Sequence, residues 1–201
     1  MTAGTSDDTH EIRWHGRGGQ GAVTAAKILA DAAFHSGFAG VTSQPSFGAE
    51  RRGAPITASS RLAHEPIRVL SRVTEPDIVV VLDDSLVDVA HTTAGMRPGG
   101  MLIVNTTKDA AQLVAAGGIG GDVRVVTSDV TGAAEAVGLI VGGQPMVSTA
   151  ILGAFARATG LITMDAVEAA IGHVFTGTAG AKNVEAAKIA FECTTAGGAH
   201  K

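Results

Sequence analysis

At 201 residues, with 45% hydrophobic and only 17% charged side chains, the chain carries ample material for one buried core and is neither disordered nor supercharged. Its longest unbroken apolar run, Ile78–Leu82, falls far short of the roughly 18 to 20 residues a membrane span needs. A formal net charge of −4 argues against a nucleic-acid coat. Cys193 is the only cysteine, so the chain alone builds no internal disulfide, no cysteine-ligated zinc site and no iron–sulfur cluster.

Residues 1–10 are small and polar and are expected to form a flexible tail, and Met1–Glu11 is too polar for a secretory signal, which predicts a cytoplasmic protein. Glu11–His15 alternates as a first strand and runs into Gly16-Arg17-Gly18-Gly19-Gln20-Gly21. Ala22, Val23, Ala26, Ala30, Ala33 and Phe34 then recur at helical spacing. Strand, glycine loop and helix make the opening of a Rossmann-like βαβ unit. Residues 38–60, with Pro45 and Pro55, read as loop with at most short strands. Ile56–Ser60 and Ile67–Ser71, separated by His64-Glu65-Pro66, are expected to pair antiparallel, which makes the sheet mixed.

Asp77–Leu82, Met101–Asn105 and Val123–Thr127 are apolar strands alternating with helical stretches at 84–94 and 107–116, the pattern of a parallel sheet covered on both faces. From 129 onward the chain is helical. One apolar face runs from Met146 to Ala158 and closes at Gly160, a second follows Thr163 as N-cap through Val174, and a last helix covers Asn183–Cys193. The expected fold is a three-layer α/β/α arrangement around a largely parallel, mixed sheet. It forms a single domain over 11–195 with a C-terminal tail at 196–201.

Three segments carry chemistry. Gly16–Gly21 matches G-x-G-x-x-G in the right context, where glycine N–H groups and a helix dipole favour an anion; the other reading is a tight turn needed for packing. An acidic residue for a nicotinamide ribose is expected near Gly40–Ser43, and none is there. Arg51 and Arg52, followed by Gly53, present two guanidinium forks suited to phosphate or carboxylate, unless ion pairs with Glu50 and other acids consume them. Gly142–Thr149 leads into a helix, with Ser148 or Thr149 placed to donate to a ligand. The seven histidines show no H-x-x-x-H or H-E-x-x-H pairing, so no metal site is expected. His15 reads as a satisfied strand-end residue and Asp83-Asp84 as a helix cap. No catalytic constellation is evident.

Taken together, IRWHGRGGQGAVTAAKILA, PSFGAERRGAP and GGQPMVSTAILGAFARATGL resemble the gamma subunit of the CoA-acylating 2-oxoacid:acceptor oxidoreductases, the pyruvate:ferredoxin oxidoreductase family. The similarity runs from about Glu11 to Phe191. Ser148, where the family often has Asn, and Val41–Pro45 depart from the family pattern.

The resemblance implies an enzyme of several subunits that oxidatively decarboxylates a 2-oxoacid to an acyl-CoA. Pyruvate is the default substrate, with branched-chain 2-oxoacids, 2-oxoglutarate and aryl types such as phenylglyoxylate open. Thiamine diphosphate with Mg2+ lies between alpha and beta subunits, and [4Fe-4S] clusters lie on the beta and ferredoxin-like delta subunits. Electrons pass to ferredoxin, or to NAD through a further flavin (FAD) subunit. This chain is expected to hold no cofactor alone and to serve assembly and the CoA side, through Gly16, Arg17, Gly18, Gly19, Gln20, Gly21, Arg51, Arg52, Gly53 and Ser148. Two alternatives stay open: a free-standing Rossmann-like nucleotide-binding oxidoreductase, and a purely structural subunit.

Overall fold

The strand-and-helix alternation folds as a seven-stranded sheet, seen in a computed structural model that describes residues 9–45, 52–69, 71–120 and 122–200. Its strands are β1 (Thr9–Arg17), β2 (Gly40–Pro45), β3 (Pro55–Ala63), β4 (Ile78–Val81), β5 (Gly100–Asn105), β6 (Val123–Ser128) and, at the far edge, β9 (Thr195–His200). They lie in the order β2-β3-β1-β4-β5-β6-β9. β1, β4, β5 and β6 form a parallel centre, while β3 runs antiparallel to β1 and β2, and β9 antiparallel to β6. A separate two-stranded hairpin joins β7 (Ile140–Val141) to β8 (Gln144–Pro145).

Helices cover both faces, as the uninterrupted apolar strands require. Ile12, Trp14, Val80, Ile103 and Val126 point to one side. There they meet α1 (Ala22–His35), α4 (Val130–Ala136), α5 (Val147–Thr159), α6 (Met164–Val174) and α7 (Gly177–Cys193). Val79, Val81, Leu102, Val104 and Val125 point to the other, against α2 (Leu86–Val89) and α3 (Ala110–Ala115). The expected three-layer fold with a mixed sheet is therefore observed.

Small residues set the layer spacing: Ala22, Ala25, Ala26, Ala32 and Ala33 of α1 are all buried. At Gly153 the α5 backbone touches α7 so closely that a β-carbon would lie 1.8 Å from the Ala187 carbonyl oxygen. The rare aromatics fill what remains. Trp14 stacks on Phe155 at 6.1 Å between centroids, and its Nε1 donates to Ser60 Oγ at 3.0 Å.

Six sequence expectations are corrected. Residues 67–71 form no strand among the described residues, because both edges of β3 are already taken by β1 and β2. Instead the Ser71 carbonyl accepts from Arg61 Nη1 at 2.6 Å. Part of the stretch read as loop is β2, a full partner of β3. The helix expected over 84–94 shrinks to Leu86–Val89, because the chain turns at His91, φ 45°, and delivers the Thr92 and Ala94 carbonyls to Arg13 at 2.9 and 2.6 Å. The helix expected over 107–116 is shorter too, starting at an Asp109 capping box, and the last helix begins earlier, at Gly177. The segment 196–200, expected as a tail, belongs to β9, which pairs with β6 and covers its edge.

Candidate anion-binding site

The carboxyl ends of β1, β4 and β5 open into a cleft of about 770 Å3. This is where an open α/β sheet places ligands, since the chain leaves β1 toward one side of the sheet and returns on the other. Two helices start at the cleft. Gly21 is the N-cap of α1 and Met146 that of α5; neither offers a side-chain cap, and neither first turn contains an acid. Their leading N–H groups have no side-chain partner among the described residues, and two helix dipoles present positive ends to one cavity. The helices α3, α4 and α6, by contrast, are capped by Asp109, Asp129 and Thr163.

Gly21 is what lets α1 and α5 start side by side. Its φ is +80°, and a β-carbon there would lie 2.7 Å from Cβ of Ser148. The loop is also pinned to the arginine segment: Gly18 N donates to the Ala54 carbonyl at 2.8 Å, and Gly53 N to the Gly18 carbonyl at 3.0 Å. Two sequence motifs far apart along the chain thus form one wall.

The arginines in that wall differ. Arg17 is consumed internally, with Nε on Asp83 Oδ2 at 3.0 Å, Nη1 on the Gly53 carbonyl at 3.1 Å and Nη2 on Ser85 Oγ at 2.7 Å. Gln20 completes the knot, accepting from Arg17 N at 2.7 Å and donating to Asp83 Oδ2 at 3.1 Å. Partial burial pushes the Asp83 carboxyl up, but hydrogen bonds from Ser85 and Gln20 and the Arg17 charge outweigh it and hold its pKa below the ordinary value. Arg52 is exposed, and no acid among the described residues pairs with it. Its Nη2 reaches the hairpin at Gly142, across the mouth of the cleft.

Of the residues expected at the site, Arg17, Gly18, Gly19, Gln20, Gly21, Arg52, Gly53 and Ser148 line the cleft together. Gly16 does not line it, because it remains in β1, paired with Ile56 and packed toward Ala22. Arg51 lies outside the described residues. Ser148 is 2% exposed, and its hydroxyl bonds no described residue. Thr149, the other candidate donor, is turned away and donates to Asn183 Oδ1 at 2.6 Å. Asp83 and Asp84 are not helix caps: Asp83 holds Arg17, and Asp84 accepts from Thr106 Oγ1 at 2.8 Å and pairs with Lys108 at 3.0 Å. His15 is the satisfied strand-end residue expected. It is 6% exposed and accepts from Arg13 Nε at 3.1 Å; burial and then the Arg13 charge lower its pKa to about 4.

Sequence reading missed Asn105 and Thr131 at the cleft. Asn105 Nδ2 donates to the Leu82 carbonyl and to Thr131 Oγ1, both at 2.9 Å, while Thr131 N donates to Asn105 Oδ1 at 3.1 Å. This bond set ties β4, β5 and α4 together below the ligand space. No local motif marks it, apart from Asn ending an apolar strand.

A family model described as pyruvate ferredoxin/flavodoxin oxidoreductase matches residues 11–193. The pyruvate/ketoisovalerate oxidoreductases common subunit gamma of Thermococcus kodakarensis is 50% identical over 189 residues, covering 92% of this chain and 96% of that one. The crystal structure of pyruvate oxidoreductase subunit PORC from Thermotoga maritima superposes with a TM-score of 0.80 at 34% identity, covering 94% of this chain and 98% of that one. The fold also recurs within the 2-oxoglutarate:ferredoxin oxidoreductase of Magnetococcus marinus, at a TM-score of 0.68 and 16% identity over 91% of this chain and 30% of that one. With a match to nearly its full length and half of its residues shared with a gamma subunit, this chain belongs to the pyruvate ferredoxin/flavodoxin oxidoreductase family as a gamma-type subunit of an oxidoreductase.

Proposed function

We propose that this chain serves a 2-oxoacid oxidoreductase by receiving the phosphates of CoA in the cleft between α1 and α5. Pyruvate or a branched-chain 2-oxoacid is the substrate, by likeness to relatives named for pyruvate and ketoisovalerate. Thiamine diphosphate, Mg2+ and [4Fe-4S] clusters belong to the alpha, beta and delta partners, and ferredoxin takes the electrons. A lone cysteine, Cys193, gives this chain no thiolate set for a cluster.

One observation carries the reading. Two helix N-termini without side-chain caps, an Arg52 with no acid partner among the described residues and a Ser148 hydroxyl that bonds no described residue face one cleft, a set of groups that favours an anion. A pyrophosphate seated on these N–H groups gains charge-assisted hydrogen bonds without competing with an internal carboxylate, because Asp83 is already occupied by Arg17 and Gln20. A nicotinamide dinucleotide fits less well, since β2 offers no acid to a ribose.

In the assembled enzyme, Arg52→Ala is expected to raise the KM for CoA about tenfold while kcat stays within about twofold, the signature of lost uniform binding. Size-exclusion chromatography confirms that the complex still forms. An unchanged KM in an assembled complex removes CoA from this cleft.

A further inference from the structure

Away from the cleft, three metal-ligating side chains converge where α1 packs against α6. Asp31 and His35 stand one helical turn apart on α1, and His173 lies in the last turn of α6. The carboxylate sits between the imidazoles: Asp31 Oδ2 is 2.7 Å from His173 Nδ1, and Oδ1 is 3.6 Å from His35 Nε2. The two rings are 5.4 Å apart at their centroids, and one donor atom from each residue lies within 4.8 Å of the other two.

A tetrahedral ion with nitrogen and oxygen ligands at about 2.0–2.2 Å spaces those ligands roughly 3.3 Å apart. The two observed separations, 2.7 and 3.6 Å, run to different oxygens of Asp31, and side-chain rotation brings one carboxylate oxygen and both ring nitrogens, already within 4.8 Å of one another, onto a common ion. The side chains of Asp31, His35 and His173 are 35%, 40% and 58% exposed, which gives an ion access and leaves water to complete its shell. Both histidines sit in the last turn of a helix, where the carbonyl end favours a cation. Two imidazoles and one carboxylate suit Zn2+ and its late first-row neighbours, not Mg2+ or Ca2+, which take oxygen ligands.

The geometry points to a transition-metal site formed by Asp31, His35 and His173, with Zn2+ as the fitting ion, that ties the C-terminal part of α1 to the end of α6. This site is independent of the CoA cleft. Its ligands lie 142 residues apart along the chain, so the ion acts as a cross-link that is absent from the unfolded state.

The test uses the full-length chain stripped with EDTA and titrated calorimetrically with ZnCl2, alongside thermal melts. One equivalent of Zn2+ is expected to bind and raise Tm, MgCl2 to do nothing, and H35A and H173A each to weaken Zn2+ binding at least about tenfold. With Cu2+ as probe, electron paramagnetic resonance shows two nitrogen ligands, reduced to one in either variant. Three outcomes overturn the site: no Zn2+ binding to the parent chain, Zn2+ binding to H35A and H173A as tight as to the parent, or a Tm lowered in H173A with no response to Zn2+ in the parent. The last reduces the cluster to an Asp31–His173 hydrogen bond.

Discussion

Arg17 and Arg52 face the same cleft and do opposite work. Arg17 ends β1, at a position the sheet holds, and three acceptors from two other segments surround its guanidinium. Arg52 lies on the segment clipped to Gly18 by backbone bonds, and its guanidinium has no acid among the described residues. The difference teaches that an arginine next to a glycine loop is not thereby a ligand residue. Charge counts toward binding only where the fold has left it unneutralised.

The most severe way to break this contrast is to remove the close approach behind both arginines. Gly21→Val puts a branched side chain at φ +80° and into Ser148, and is expected to cost about 3 kcal/mol in urea unfolding, with CoA binding lost as well. A cost below about 1 kcal/mol means that α1 and α5 can move apart freely.

The strand that ends in Arg17 also supplies a pH dependence. His15 has a folded pKa of about 4 against 6.5 for its ordinary value, so the unfolded chain takes up the proton first as pH falls. Its contribution, up to about 3 kcal/mol, is present above pH 6.5 and is lost as pH drops toward 4. Asp83, whose carboxyl is held low, loses its contribution in the same direction but at more acid pH. His15→Gln is expected to flatten the slope between pH 6.5 and 4, and an unaltered slope assigns it to other groups.

Asp83→Asn sharpens the comparison from the other side. It unpairs Arg17 and is expected to lower stability by about 1 kcal/mol, as fits a partly exposed pair. The KM for CoA is expected not to rise, because the variant removes no cation from the cleft and takes away a negative charge that lines it. A rise as large as that of Arg52→Ala erases the distinction between the two arginines. The smallest effect is on the stability of Arg52→Ala itself: within about 0.5 kcal/mol of the parent in thermal melts, as for an exposed side chain with no acid partner among the described residues.

Much of this was legible before the fold was seen. The apolar runs at 77–82, 101–105 and 123–127 announce strands buried on both faces. The glycine loop after the first strand announces an anion-friendly helix start, and the motif trio announces the family. Residues such as Gly40–Pro45 read as loop because strand identity there is conferred by β3, whose edge they fill, and not by their own propensity. Asn105 and Thr131 were invisible because their partners come from three separate elements. No paired-histidine motif marks the Asp31–His35–His173 cluster, because its third member comes from another helix.

The sequence alone determined the period of each apolar element, the places where glycine permits positive φ, and the lack of cysteines for a cluster. These are properties of single residues and their neighbours along the chain. Tertiary structure alone decided which polar groups are spent and which are free: Arg17 against Asp83, Thr149 against Asn183, with Arg52 and Ser148 left facing the cleft. Hydrogen bonds and ion pairs act over about 3 Å, and only the folded chain sets which groups come that close.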